Sequence, residues 1–550
     1  MASSLSRLSI STFTLGLAVL VLAYTSSAVS KTCSGRCSAA TFKDVLPASA
    51  RVVSAVAVPK GGSYGEGSAN VAYPTIPPDL PELCALIVNV STSAISNYRF
   101  GVYLPTEWNS RFLAVGNGGF SGGINWLDMA AGVRYGNAVV STDTGHNSTM
   151  ADVTWALHNQ ERKKDFGYRA IHGSVEMGKA MTRAYYEKEI AYSYYSGAST
   201  GGRQGLKETQ LSPDSFDGML IGAPAWYTSH LQPWTTKVAT FNLPVSDKKH
   251  IDPSLFPVVG AEVIKQCDEL DGVKDGIVSR PDLCKFKPNS LLCDATGAKA
   301  SACLNEEQAM TVLNIYSDWY ADGRLAMPGL EPGSESQWAL LRGPDPNPFG
   351  DAYIQNFLYD DPSWNWKTQF NDSVVWQADA ADPGNCTASN YDLSPFKKHG
   401  GKILMYHGAA DGLIPQRSSD LFYQRVADVM GGVSSLQSWF RYFVVPGMEH
   451  VTGTAMDAPW YFAGAGSHGV LGKAIFSTPG FVDTRHDALL ALMAWVENGT
   501  AVDEIVATIW KDSTDLSAGV MRQRPICPYP KVQTYLGKGD TDRPESFVCK

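Results

Sequence analysis

The feature that most restricts this chain is a short run, Tyr194-Tyr195-Ser196-Gly197-Ala198-Ser199-Thr200-Gly201-Gly202-Arg203-Gln204-Gly205. It holds G-x-S-x-G between residues suited to a buried strand and residues suited to a helix. A strand that passes at once into a helix needs a tight bend, and Gly197 and Gly201 sit where a Cβ would clash. The bend lifts the Ser199 hydroxyl to the helix N-terminus, where free amides and the helix dipole favour negative charge. In that setting Ser199 reads as a nucleophile and the Thr200 amide as an oxyanion donor. The same pattern also occurs in plain glycine-rich turns; the strand before and the helix after favour catalysis.

The surrounding pattern carries the fold. Strands are expected at 98–103, 111–115, 138–141, 192–195 and 218–221, with helices at 166–187 and 201–211. A second such region begins near 402, with strands at 402–406 and 440–445 and helices at 418–430 and 488–497. Strands alternating with helices imply a mostly parallel sheet covered on both faces, an α/β architecture. Between the two regions the texture changes. Residues 228–398 are rich in Pro, Trp and Asn and read as an inserted lid. The expected division is 1–30, 31–227 (core, first part), 228–398 (lid) and 399–550 (core, second part).

A serine needs a base, and in this kind of fold the chain order is Ser, then Asp or Glu, then His. Of His450, His468 and His486, His450 is best placed. It follows Phe443-Val444-Val445-Pro446-Gly447-Met448-Glu449, where a strand ends in a Pro-Gly turn. His486 reads more simply as a surface or capping residue. The acid is expected on the loop after the preceding strand, in Tyr406-His407-Gly408-Ala409-Ala410-Asp411-Gly412. Asp411 would orient the imidazole and stabilise the imidazolium; the competing reading is an ordinary Asp-Gly turn. A second oxyanion donor is expected from Gly118 or Gly119, in the loop Gly116-Asn117-Gly118-Gly119 after an early strand.

The compartment follows from the N-terminus and the cysteines. Arg7, an apolar run from about 15 to 24 and a small-residue stretch ending at Ser30 have the layout of a cleaved secretory signal, with an uncleaved anchor as the alternative. The ten cysteines are then expected to pair, and no Cys-x2-Cys repeat points to zinc. N-x-S/T sequons stand at Asn89, Asn147, Asn371, Asn385 and Asn498. A net charge of −9 disfavours a nucleic-acid or anionic-membrane binder. The mature chain has no further run long enough to span a membrane.

Taken together, Gly116–Gly119, Ser196–Gly205, His407–Pro415 and Pro446–His450 resemble the tannase and feruloyl esterase family of secreted serine esterases. The resemblance implies an α/β-hydrolase core with a large lid, and hydrolysis of aromatic-acid esters of the feruloyl, coumaroyl or galloyl type, including esters derived from plant cell walls. It also implies the pairs Cys33–Cys84, Cys37–Cys386, Cys267–Cys284, Cys293–Cys303 and Cys527–Cys549. The family usually carries a disulfide between a Cys just before the serine and a Cys just after the histidine. Here those positions are Ala198 and Val451, and packing is expected to hold the triad instead.

The lid contains Cys267-Asp268-Glu269-Leu270-Asp271-Gly272-Val273-Lys274-Asp275-Gly276-Ile277. Close carboxylates with glycines for sharp turns suit an oxygen-loving cation, or a solvated acidic turn; the spacing is not that of an EF-hand. The resemblance implies a structural calcium held by the Asp268, Asp271 and Asp275 side chains and the Val273 and Ile277 carbonyls. No organic cofactor is expected. Two other readings compete: a carboxylesterase of the same fold with a different substrate, and a non-catalytic binding protein. The lid aromatics Trp226, Tyr227, Trp234, Trp364 and Trp366 are expected to serve core packing, and neither the acyl group nor the oligomeric state is readable.

Overall fold

The computed structural model describes residues 35–294, 302–471 and 474–550. The expected signal segment and Cys33 lie outside the described residues. The strands of the main sheet are β1 (Ala50–Val58), β2 (Leu83–Ser91), β3 (Asn97–Pro105), β4 (Arg111–Val115), β5 (Ala138–Thr142), β6 (Tyr192–Ala198), β7 (Gly218–Gly222), β8 (Lys402–Gly408) and β9 (Phe440–Val445). They form one 9-stranded sheet in the order β1-β2-β3-β5-β4-β6-β7-β8-β9. β1, β2 and β3 pair antiparallel, and β3 pairs antiparallel with β5. From β5 onward the neighbours are parallel.

The parallel strands read as continuous apolar runs because both faces are covered. Side chains alternate between two cores. Leu220 and Leu404 pack on one face, with α1 (Trp126–Arg134) and a late helix at its back. Met219, Ile221, Ile403 and Met405 pack on the other, against α2 (Ala170–Tyr186), α3 (Thr200–Leu211) and α4 (Arg417–Met430). The late helix on the first face is α5 (Ala488–Asn498); Asp487 caps its N-terminus by accepting from the Leu490 amide.

The 228–398 insertion lies between β7 and β8. Trp234, Phe256 and Trp338 fill a third core that also takes in Ala410 and Ile414 from the loop after β8. The insertion and the loop after β8 therefore share apolar packing. Trp226, Trp234 and Trp364 are buried, which is the packing role expected of them. Among the described residues no helix is long and apolar enough to cross a membrane.

Disulfides close Cys267–Cys284, Cys293–Cys303 and Cys527–Cys549. The pairing expected at the N-terminus is corrected: Cys37 bonds Cys84, with Cα atoms 5.5 Å apart, and not Cys386. The 36–42 segment packs beside β1 and β2, which brings Cys37 within bridging range of Cys84. That leaves neither Cys33–Cys84 nor Cys37–Cys386. Cys386 is buried without a disulfide, next to Gly167, and burial pushes its thiol up to about 12.

Candidate active site

β6 ends at Ala198 and α3 begins at Thr200, so Ser199 alone makes the bend, at φ 58. A non-glycine residue held there stores about 1–3 kcal/mol of strain, which the surroundings must offset. The offset is visible. The Ser199 amide donates to the Gly222 carbonyl (2.8 Å), and the Ser199 carbonyl accepts from the Arg203 and Ala225 amides (both 3.0 Å). Gly197 is needed because a Cβ there would lie 2.7 Å from the Gly201 carbonyl oxygen.

The loop after β4 is fastened to α3 by a reciprocal amide pair. The Asn117 amide donates to Gln204 Oε1 (3.0 Å), and Gln204 Nε2 donates to Asn117 Oδ1 (3.2 Å). This explains why both motifs carry these residues, a link that spacing alone did not reveal. Within the loop, the Gly118 amide donates to the Tyr73 hydroxyl at 2.9 Å. Burial pushes that phenol up to about 12, so it stays protonated at neutral pH. Among the described residues, the Gly119 amide, at φ 54, and the Thr200 amide donate to no protein acceptor. Of the two glycines, Gly119 thus keeps its donor unspent.

Asp411 and His450 meet. His450 Nδ1 lies 2.7 Å from Asp411 Oδ2. Asp411 Oδ1 accepts from the Leu413 and Ile414 amides, each at 2.8 Å. A second imidazole, not foreseen in the sequence, uses the same carboxylate: His407 Nε2 lies 3.0 Å from Asp411 Oδ2, and its Nδ1 lies 2.8 Å from Ser419 Oγ. His407 Nε2 also faces the Ile414 carbonyl (3.2 Å), and two acceptors at one nitrogen place the proton on it. Burial alone would push the Asp411 carboxyl up. The charge of His450 and the hydrogen bonds from both imidazoles win, holding it well below the usual carboxylate range.

Ser199, Thr200, Gly118, Gly119 and His450 line one cavity of about 550 Å³. Its wall also includes Tyr73, Leu231, Gln232, Thr235, Phe349 and Leu413. The lid therefore supplies one aliphatic, two polar and one aromatic contact, from Leu231, Gln232, Thr235 and Phe349, and none of the tryptophans named above. Ala198 and Val451 also border the cavity, and both flank Gly466: a Cβ there would meet Val451 Cγ1 at 3.5 Å and Ala198 Cβ at 3.6 Å. The other histidines are elsewhere. His468 is buried, and burial pushes it down to about 4. His486 is buried too, not at the surface, with Nδ1 2.8 Å from Asp483.

In the acidic lid loop the carboxylates are partly spent on loop amides. Asp268 Oδ1 accepts from Asp275 and Gly276 (3.1 and 3.0 Å), Asp271 Oδ1 from Val273 (3.0 Å) and Asp275 Oδ1 from Ile277 (3.1 Å). Arg524 donates to Asp275 Oδ2 at 2.7 Å. Among the described residues no three His, Cys, Asp or Glu side chains are grouped to hold a metal ion. The donor chemistry nevertheless suits a hard cation. All the donors are oxygens, and burial first, then the charge of Asp275, raises the Asp271 carboxyl.

The model of the tannase and feruloyl esterase family matches residues 84–348 and 353–550. The chain belongs to that family. A probable feruloyl esterase B-2 of Aspergillus terreus is 34% identical over 471 residues, covering 85% of this chain and 86% of its own. A probable feruloyl esterase B-1 of Aspergillus oryzae is 35% identical over 473 residues, covering 85% and 83%. The crystal structure of feruloyl esterase B from Aspergillus oryzae superposes with a TM-score of 0.86 at 33% identity, covering 94% of this chain and 100% of that one. Tannin acyl hydrolase from Aspergillus niger, at TM-score 0.73 and 21% identity, shares the fold. As a member of the family the chain is a carboxylic ester hydrolase with an α/β-hydrolase core and an inserted lid.

Proposed function

We propose that this chain is a secreted serine esterase that cleaves aromatic-acid esters through an acyl-enzyme. One observation carries the reading: His450, paired with the buried Asp411, opens on the same cavity as Ser199, which sits on a strained elbow beside two unspent amides. Ser199 Oγ attacks the ester carbonyl while His450 Nε2 takes its proton. The Thr200 and Gly119 amides receive the oxyanion. His450 returns the proton to the leaving alcohol, and water then releases the acid by the same steps in reverse order. The names of the relatives support feruloyl-type esters. Disulfides and the signal-like N-terminus support secretion. Asn147, Asn371, Asn385 and Asn498 are exposed candidates for glycosylation, whereas Asn89 is half-buried in β2.

The test uses p-nitrophenyl acetate and a panel of methyl ferulate, methyl p-coumarate and methyl gallate. Ser199→Ala and His450→Ala should each remove nearly all turnover, and the double variant should be little worse, since triad members act as a unit. Ser199→Ala retaining more than a few per cent of kcat/KM would show that another group is the nucleophile.

Calcium is proposed as a structural ligand of the lid, held by Asp268, Asp271 and Asp275 with the Val273 and Ile277 carbonyls. When bound it would neutralise the carboxylates and fix the loop. Chelation should then lower Tm, because a ligand of the folded state alone adds stability by mass action. An unchanged melting curve, with no calcium found by elemental analysis, would leave Arg524 as the partner of this loop.

A further inference from the structure

A single side-chain oxygen from the lid touches both loops of the Asp–His pair. Gln337 Oε1 accepts from the Gly412 amide at 3.0 Å and from the His450 amide at 2.9 Å. Gly412 follows the acid directly, and the second amide belongs to the base itself. The approach is close: a Cβ on Gly412 would lie 2.8 Å from the Gln337 backbone, so the Asp-Gly pair after β8 is shaped by this lid residue. The neighbouring Ser336 Oγ donates to Glu449 Oε1 at 2.7 Å, a second contact on the base loop.

The turn that presents Gln337 is firmly seated. Trp338 is fully buried, and its Nε1 donates to Ser334 Oγ at 3.0 Å. Ser334 Oγ donates to the Glu331 carbonyl, and the Glu331 side chain is ion-paired with Arg417 on α4. The Gln337 oxygen is thus a fixed point, set by the lid core and by the hydrolase core together. Nothing covalent ties the base loop to the elbow here, because Ala198 and Val451 stand beside Ser199 and His450.

We propose that Gln337 is a positioning residue for the reaction: its amide oxygen sets the separation of the acid and base loops, and through it the Asp411–His450 hydrogen bond. This rests on the proposed roles of Ser199, Asp411 and His450. The cost of losing it follows from how steeply catalysis depends on alignment, where a shift of about 1 Å can cost a hundredfold. The contact also gives the lid a direct hold on the chemistry, separate from its part in lining the cavity.

The test compares Gln337→Leu, which keeps the volume and removes the acceptor, with Gln337→Glu, which keeps an acceptor and adds a charge near His450. With p-nitrophenyl acetate, Gln337→Leu should lower kcat roughly ten- to a hundredfold with KM within about twofold. Gln337→Glu should recover most of kcat at alkaline pH. Its acid limb should move up by at least about half a unit, because a nearby negative charge favours the imidazolium. A merely structural role would move Tm without moving that limb. Wild-type kcat in Gln337→Leu, or an unshifted limb in Gln337→Glu, would overturn the proposal. Labelling by a fluorophosphonate separates the two ideas: an unlabelled Ser199 in the wild type would sink the serine mechanism, whereas a labelled and active wild type with indifferent Gln337 variants would sink only this role.

Discussion

Asp411 has its lone pairs fully engaged, by two amides and two imidazoles. Because its pKa is depressed in the fold, its stabilising contribution is full above the unfolded value near 4 and is lost only as pH falls through the depressed one. Between pH 5 and 8 it stays ionised. The acid limb of kcat/KM should therefore be that of one proton; a two-proton limb in this window would show Asp411 titrating. His407→Ala should lower kcat/KM by about tenfold or more, since a hydrogen bond to a charged group contributes about 1.5–3 kcal/mol. His407→Gln, which can keep a donor, should lose less. Equal losses in the two variants would mean that packing, not donation, is what His407 supplies. That Ser199 and His450 border one cavity and that Asp411 meets His450 was legible because each sits just after a strand, which sequence pattern can locate. His407, Gln337 and Tyr73 were not, because each acts through a contact that only the assembled fold creates.

At the scale of elements, most strands and helices fell where apolar runs and glycine breaks put them. β4 and β9 match residue for residue, and β6 extends past 195 through Ala198 because the bend is made by Ser199 alone. Among the elements that were not foreseen, three are instructive. β1 exposes much of one face and carries mostly small residues, so its alternation is faint. β2 is an unbroken apolar run, Leu83–Val88, equally readable as part of a buried helix. The antiparallel pair Ile505–Trp510 and Val520–Ile526 lies beyond the last expected helix. Cysteine partners are set by tertiary distance, which is why Cys37 could not be assigned to Cys84 from spacing. The same geometry makes a prediction about the elbow and the base loop. Since Ala198 and Val451 flank one glycine, Ala198→Cys with Val451→Cys should form a disulfide and raise Tm, the added stability being up to roughly 4–5 kcal/mol in the chain-entropy model. Two free thiols on titration of the denatured double variant would show that the Cα atoms lie farther apart than a bridge allows.

Over the whole molecule, burial pushes the carboxyls of Asp128, Asp143, Asp351 and Asp487 up to about 6. For Asp143 this holds despite the Arg99 guanidinium 3.2 Å away. A carboxyl raised in the fold adds stability that is full below its unfolded pKa and is lost as pH rises through 6. Carboxylates held low, such as Asp411, Asp360 and Glu497, act in the opposite sense and only in stronger acid. Buried His146 and His468, pushed down to about 4, act against the raised carboxyls once pH falls through about 6.5, so Tm should change little between about 8 and 5 and drop below about 4. A melting temperature that falls steeply already between pH 7.5 and 5.5 would contradict this. The seat of Gln337 has a different kind of consequence. An insertion between β7 and β8 looks like something that evolution, or an engineer, could exchange as a cassette to change what the enzyme accepts. In this molecule the cassette also carries the rivet that aligns acid and base, so a graft from a relative must bring an acceptor to the same point. Selectivity and rate are inherited together.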